Sequence, residues 1–453
     1  MRYPEFPARP KLSFIMMKSL DTTDKDLNDQ WQGGKRRVWI MAMFLGTMFL
    51  YAARSAVPLC MAAMSKDMAW DKEADGAVMS AFFWGYTPAQ IIGGWLSDKY
   101  GGELVLGYAG IVWSLCTMIV PFLPAGPILF FPPIAIMVIS RVFTGLSQGL
   151  HYPSLTNIIV KRIPLKERSL FTSSIFSAGP VGTLLMGSAG SIVLVLFGWH
   201  SVFLIQGLVG LTWAWLWRYY ATGQYTPTSK RTELSIGNIK MMEATVSEKA
   251  AHVSVPYSTF FKHPGVWAII ISQFCQAGAF WILFSWLPLY FEEVYPNSKK
   301  WIFNVLPWLV FFPFSTIAGL LADRMIKSGW SVTFVRKFFQ TFSMCGTAFC
   351  MLLFDWVLTF PQAMVLIMIT MACNAMGNCG VPVTPQDMAP KFAGSLFGLM
   401  NSAGAFSGIV LVPISGHVLE ITHLWSSIFH INTAILLFGA TVFLIFGTAK
   451  QIA

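Results

Sequence analysis

What this chain has least of is charge. Asp, Glu, Lys and Arg make up 11% of its 453 residues, where a soluble domain carries roughly 25%. That excludes an ordinary water-soluble globule. Acids are scarcer still, 21 against 31 bases. None falls in the middle of an apolar run; they lie at run ends, in loops or in the tails. The 7 cysteines are scattered through apolar segments with no Cys-x-x-Cys pair. They read as small buried hydrophobes rather than as a metal or disulfide framework. His-Glu-x-x-His, the phosphate-binding Gly-x-x-x-x-Gly-Lys-[Ser/Thr] loop and Gly-x-Ser-x-Gly are all missing, so no enzyme constellation competes for the assignment. The opening MRYPEFPARPKLSF lacks the apolar stretch and small-residue cleavage site of a signal peptide. Its YPEF (Tyr3–Phe6) has the shape of a tyrosine-based sorting signal.

What the chain has instead is long hydrophobic runs. It is 55% hydrophobic, with a mean hydropathy of +0.59. Runs of roughly 20 apolar residues, each long enough to cross a bilayer core, recur along its length. They predict an all-α membrane protein with twelve spans, near 38–62, 76–97, 104–124, 131–158, 170–196, 201–221, 265–290, 302–322, 336–354, 363–384, 392–418 and 425–447. The domain plan follows: a tail over 1–37, a six-helix half over 38–221, a polar linker over 222–264, and a second half with a short tail over 265–453. An even span number puts both termini and the linker on one side. Most Lys and Arg residues collect there, while Lys66, Lys72, Lys299 and Lys300 lie on the other side. The excess of bases makes the first side cytosolic. The net charge of +10 is therefore mostly topological bias, and no nucleic-acid partner is expected.

The two halves repeat. GGWLSDKYGG (93–102) follows the second span and AGLLADRMIKSG (318–329) follows the eighth. The offset between Asp98 and Asp323 is also the offset between SAG at 177–179 and SAG at 402–404. GWHSVF (198–203) and LWSSIF (424–429) repeat it to within one residue. Parallel repeats of this kind build transporters whose substrate path runs between the halves near the bilayer midplane.

Only two cations remain inside spans, Arg54 and Arg141. A mid-span arginine costs about 2.5–3.5 kcal/mol on insertion scales, and no buried carboxylate offsets it. Arg54 shares a helical stripe with Tyr51, Ser55 and Pro58. Arg141 heads a stripe with Thr144, Gly145, Gln148 and Tyr152. Both polar faces are expected to point into a shared cavity, whose natural ligand is an anion because guanidinium groups bind carboxylate and phosphate through paired N–H donors. Tyr86, Gln90, Gln276, Asn304, Asn374, Asn378 and Asn401 are further candidates for the wall. His151, near Arg141, either titrates or packs.

The motif after the second span resembles the loop signature of the major facilitator superfamily. AFFWGYTPAQIIGGWLSDKYGG, SRVFTGLSQGLHYPSLTN, IPLKERS, FEEVYP and PQDMAPKFAGSLFG resemble its anion-transporting group, the sialin, vesicular glutamate and sodium/phosphate transporters. FLYAARSAVPLC and KKWIFNVLPWLV look most like the vesicular nucleotide transporters of that group. The resemblance implies substrate-binding roles for Arg54, Arg141, Tyr86 and Tyr152; Gln148, Asn374 and Asn401 join them as expected substrate-binding residues from their polar side chains within the spans. It implies a cytosolic gate at Asp98, Lys99, Asp323, Arg324, Glu167 and Arg168. It also implies chloride as an activator, no other cofactor, a membrane-embedded monomer, and residence in secretory or lysosome-related vesicles. Three departures stand out. Gln276 occupies the place of a seventh-span arginine of the glutamate transporters, Met79 that of a second-span histidine, and Gln148 that of a fourth-span glutamate. Without that carboxylate, membrane potential rather than a proton gradient is the expected driver. The expected cargo is an organic anion, foremost ATP, with acidic sugar, glutamate or phosphate as alternatives; a non-transporting receptor or scaffold is the alternative class.

Overall fold

The computed structural model describes residues 34–68, 72–123, 133–223, 255–295, 300–357 and 359–452. Tyr3–Phe6 and most of the tail and linker lie outside these residues, and the side chain of Asn304 does too. Every regular element among the described residues is helical. Ten stretches are long and apolar enough to cross a membrane. One of them, Leu165–Tyr219, holds two spans, and the helix Lys72–Tyr100 is a further one. The result is the twelve-span order read from the hydropathy.

The first three spans are the helices Gly34–Met68, Lys72–Tyr100 and Gly102–Ile119. The fourth is broken, Pro133–Gly149 followed by His151–Arg162. The fifth is assembled from Arg168–Phe176, Ala178–Leu185, a π-helical turn at Met186–Gly190, and the start of Ser191–Gly223. The turn into the sixth span falls at Gly198, whose φ of 78° and ψ of 169° only glycine adopts without strain. Hence the repeated GW/LW motif marks a real corner. In the second half the seventh to ninth spans are Pro264–Val294, Lys300–Lys327 and Val332–Leu353. The tenth is Phe360–Met376 continued by Thr384–Met388, and the last two are Ala393–Thr422 and Trp425–Phe446.

Large apolar residues such as Trp84, Trp95, Phe143, Trp215, Phe349 and Phe438 are exposed on the outer surface. For a soluble protein that would be a liability; for this chain it is the lipid-facing belt.

The halves meet mainly at one end, the face that carries the connection between the sixth and seventh spans and is called the linker face below. The second span packs on the eleventh, and the eighth on the fifth. Both crossings use a glycine four residues before the repeated acid. A Cβ at Gly94 would strike the backbone of Gly394 and Ser395, and one at Gly319 the backbone of Ser169 and Leu170. Small residues let helices approach closely, which brings the two acids to the partner half.

Candidate functional site: a cationic cavity above a capped closure

At the linker face, Asp98 accepts hydrogen bonds from the backbone N–H groups of Gly394 (3.2 Å) and Ser395 (2.7 Å). These are the second and third residues of the eleventh-span helix, whose first-turn N–H groups lack helical partners. The side chain of Asn157 holds the same carboxylate at 2.7 Å and accepts from the Gly102 N–H at 3.1 Å. Asp323 repeats the arrangement across the pseudo-twofold. It accepts from Ser169 N (3.2 Å) and Leu170 N (3.0 Å), the second and third residues of the helix Arg168–Phe176. Each half thus caps a helix N-terminus of the other, with the carboxylate favoured by the helix dipole.

Other links join the halves here. Arg168 donates to the Gln386 carbonyl at 3.3 Å while gripping the Val160 and Ile163 carbonyls of its own half. Arg336 bonds Asp387 at 2.8 Å and reaches Ser169 Oγ at 2.7 Å. Although it stands near a span end among the bases of that side, Arg336 is only 1% exposed. Lys99 and Arg324, expected beside their acids, are exposed instead. Lys99 lies over the rings of Trp95 and Tyr100. Glu167 precedes the helix that Asp323 caps.

Above this closure lies a cavity of about 410 Å³, within the range of small-molecule sites. Arg54, Arg141, Tyr86, Tyr152, Asn374 and Asn401 all line it, as do Gln276 and Asn378. Gln148 does not. It is fully buried behind Arg54, accepting from its Nε at 3.2 Å, so it positions the guanidinium instead of forming the wall. The Arg54 guanidinium sits 4.5, 4.7 and 4.6 Å from the ring centres of Tyr51, Phe82 and Tyr86. Arg141 faces Phe82 from 5.3 Å. Ring faces stabilise a cation without neutralising it. Arg54 Nη2 and Arg141 Nε are buried without a hydrogen-bond acceptor. No carboxylate lines the cavity among the described residues. The site therefore presents two positive charges with donors to spare.

His151 stands outside the cavity lining. Its Nε2 lies 3.0 Å from Thr47 Oγ1, and its ring packs edge-on against Tyr152. Sequence reasoning missed Gln273, Gln340, Trp281 and Trp308 on the opposite wall. Their mid-span amides and indoles were visible, but their shared face depends on how the halves dock.

This geometry fits what the whole chain resembles. The family model of the Major Facilitator Superfamily matches residues 43–413. The chain belongs to that superfamily. The voltage-gated purine nucleotide uniporter SLC17A9 of Mus musculus is 38% identical over 93% of this chain and 92% of that protein; its Homo sapiens counterpart is 37% identical over 93% and 94%. The chloroplastic ascorbate transporter of Arabidopsis thaliana is 30% identical, over 93% and 77%. Among solved structures, the proton:xylose symporter XylE bound to 6-bromo-6-deoxy-D-glucose superposes with a TM-score of 0.69 at 14% identity, covering 91% of this chain and 96% of that one. That likeness establishes the fold. This facilitator is accordingly a multi-pass membrane transport protein rather than an enzyme.

Proposed function

We propose that this facilitator moves an organic polyanion, a purine nucleotide such as ATP, and that membrane potential drives it into secretory or lysosome-related vesicles. The observation that carries the proposal is the pair of cavity arginines with unused buried donors and no carboxylate to answer them. A carrier whose cavity holds permanent positive charge gains little from a neutral cargo, because the insertion cost of each arginine stays unmet. A nucleotide of charge about −4 crossing ~100 mV gains roughly 9 kcal/mol, enough to concentrate it in a positive-inside lumen. No mid-span carboxylate is at hand to carry protons. The relatives named for purine nucleotide transport support the cargo.

In this proposal the linker face is cytosolic, as the positive-inside bias requires. The conformation is then closed to the cytosol, with Asp98 and Asp323 as the paired gate and chloride as an activator. The test is uptake by purified protein in proteoliposomes, with an imposed inside-positive potential, no pH gradient, and chloride varied. Labelled ATP should accumulate. Uptake that required a pH gradient and ignored the potential would overturn the coupling. Accumulation of glutamate, acidic sugar or phosphate in preference to ATP would overturn the cargo.

A further inference from the structure

The cavity is chemically two-sided. Its cations, Arg54 and Arg141, both come from the first half. Its carboxamides all come from the second half, as do both of its indoles, Trp281 and Trp308. A single anionic group such as phosphate needs only the first wall. Something less polar and rich in directional hydrogen bonds is needed to use the second.

Most of that second wall is internally satisfied. Gln276 accepts from Gln340 at 3.1 Å and donates to Ser343 at 3.3 Å. Asn401 donates to Gln90 at 3.0 Å and accepts from Gln273 at 3.4 Å. Asn374 differs. It is 9% exposed and lines the cavity, yet its carboxamide makes no hydrogen bond among the described residues. Its amide faces open cavity space, so both its donor and its acceptor are available to a ligand there. Trp281 lines the same cavity with its ring held in place. Its indole N–H donates to the Gly404 carbonyl at 3.3 Å, its ring lies against Gly408, and Phe83 of the first half meets it edge-on at 5.8 Å. That fixed ring is an aromatic platform needing no reordering on binding.

We infer that Trp281 and Asn374 form a nucleobase subsite, the base packing on Trp281 with its hydrogen-bonding edge on the Asn374 carboxamide, while the phosphates meet Arg54 and Arg141. An Asn side chain offers a donor and an acceptor side by side, which matches the N6 and N7 edge of adenine. Stacking on an aromatic ring adds affinity for any base. The inference rests on the nucleotide reading above and adds to it the orientation of the cargo: base toward the second half, phosphates toward the first.

The experiment compares the affinity of purified full-length protein for ATP and for inorganic tripolyphosphate, which has the charge without the base. The wild type should bind ATP at least tenfold more tightly. Trp281→Ala should weaken ATP by roughly 5- to 150-fold and leave tripolyphosphate unchanged; Trp281→Phe should retain most of the ATP preference. Asn374→Ala should weaken ATP several-fold, again sparing tripolyphosphate. Retained tripolyphosphate binding shows that a variant is folded, and the Phe variant serves if the Ala variant is not. Equal wild-type affinities, or variants that weaken both ligands in proportion, would overturn the subsite while leaving an anion carrier intact. A wild type that binds neither ligand would remove the nucleotide reading itself.

Discussion

The closure at the linker face and the cavity above it were built from the same duplicated chain, but only the closure kept the duplication in its polar chemistry. Asp98 caps the eleventh span and Asp323 caps the fifth, each through the second and third N–H groups of a helix, each four residues past a glycine at a close crossing. Even the neighbouring ion pairs are paired in place. Arg162 with Glu103 joins the third and fourth spans, and Arg336 with Asp387 joins the ninth and tenth with the signs exchanged. In the cavity lining positions repeat, as Phe83 and Trp308 do, but the polar chemistry does not: guanidinium groups stand on one wall, amides and indoles on the other. The difference follows from what each region must touch. A closure joins one half to its near copy, so one device used twice serves both sides. A cargo with an anionic end and a different other end is poorly met by two equal walls.

Breaking the most buried member of this comparison should cost most. Arg336→Met leaves Asp387, 8% exposed, as an uncompensated buried charge, and such losses run about 3–5 kcal/mol. Thermal unfolding in detergent should show a large drop, with the double variant Arg336→Met/Asp387→Leu recovering much of it. A drop equal in single and double variants would mean that the pair is not the unit.

The asymmetry of the cavity is probed by Arg54→Ala and Arg141→Ala. Each should weaken ATP binding by about 2–5 kcal/mol and nearly abolish uptake. Arg141 is the cleaner case, because it faces one ring and its Nε has no acceptor. Its removal relieves an insertion cost, so the ligand-free melting temperature of Arg141→Ala should not fall. Lysine at either position should rescue poorly, since it lacks the paired donors. Normal transport by the alanine variants would assign the arginines a structural role.

The symmetry of the closure predicts equal, smaller effects. Asp98→Asn and Asp323→Asn each remove a charge from a helix N-terminus, worth up to about 2 kcal/mol in partly buried settings. Each should raise labelling of a cavity cysteine from the linker side, and the double variant should roughly sum the two because the sites are separate. One silent variant would show that the repeat is only geometric. The smallest effect belongs to Glu103→Gln. Its pair with Arg162 is partly exposed, at 16% and 19%, so the loss should stay below about 1 kcal/mol, against the several expected for its buried counterpart.

The sequence by itself determined the twelve spans, the two halves, and the singling out of Arg54, Arg141 and the two repeated acids. Each of these rests on a property written along the chain. Apolar length must match a bilayer, a repeat holds its register, and a charge inside a span is conspicuous where the cost of burying it is high. Only the tertiary structure decided what those residues meet. Asp98 finds its partners at Gly394 and Ser395, far away in the other half. Gln148 turned out to stand behind Arg54. Lys99 and Arg324 share a motif with their acids but not a destination. Arg336 looked like one more basic residue at a span end until the docking of the halves buried it. Asn374 and Trp281 belong to one site only because the tenth and seventh spans close around one cavity. Hydropathy is a sum over neighbours in sequence, whereas capping, pairing and the sharing of a wall depend on distances between helices that the sum does not contain.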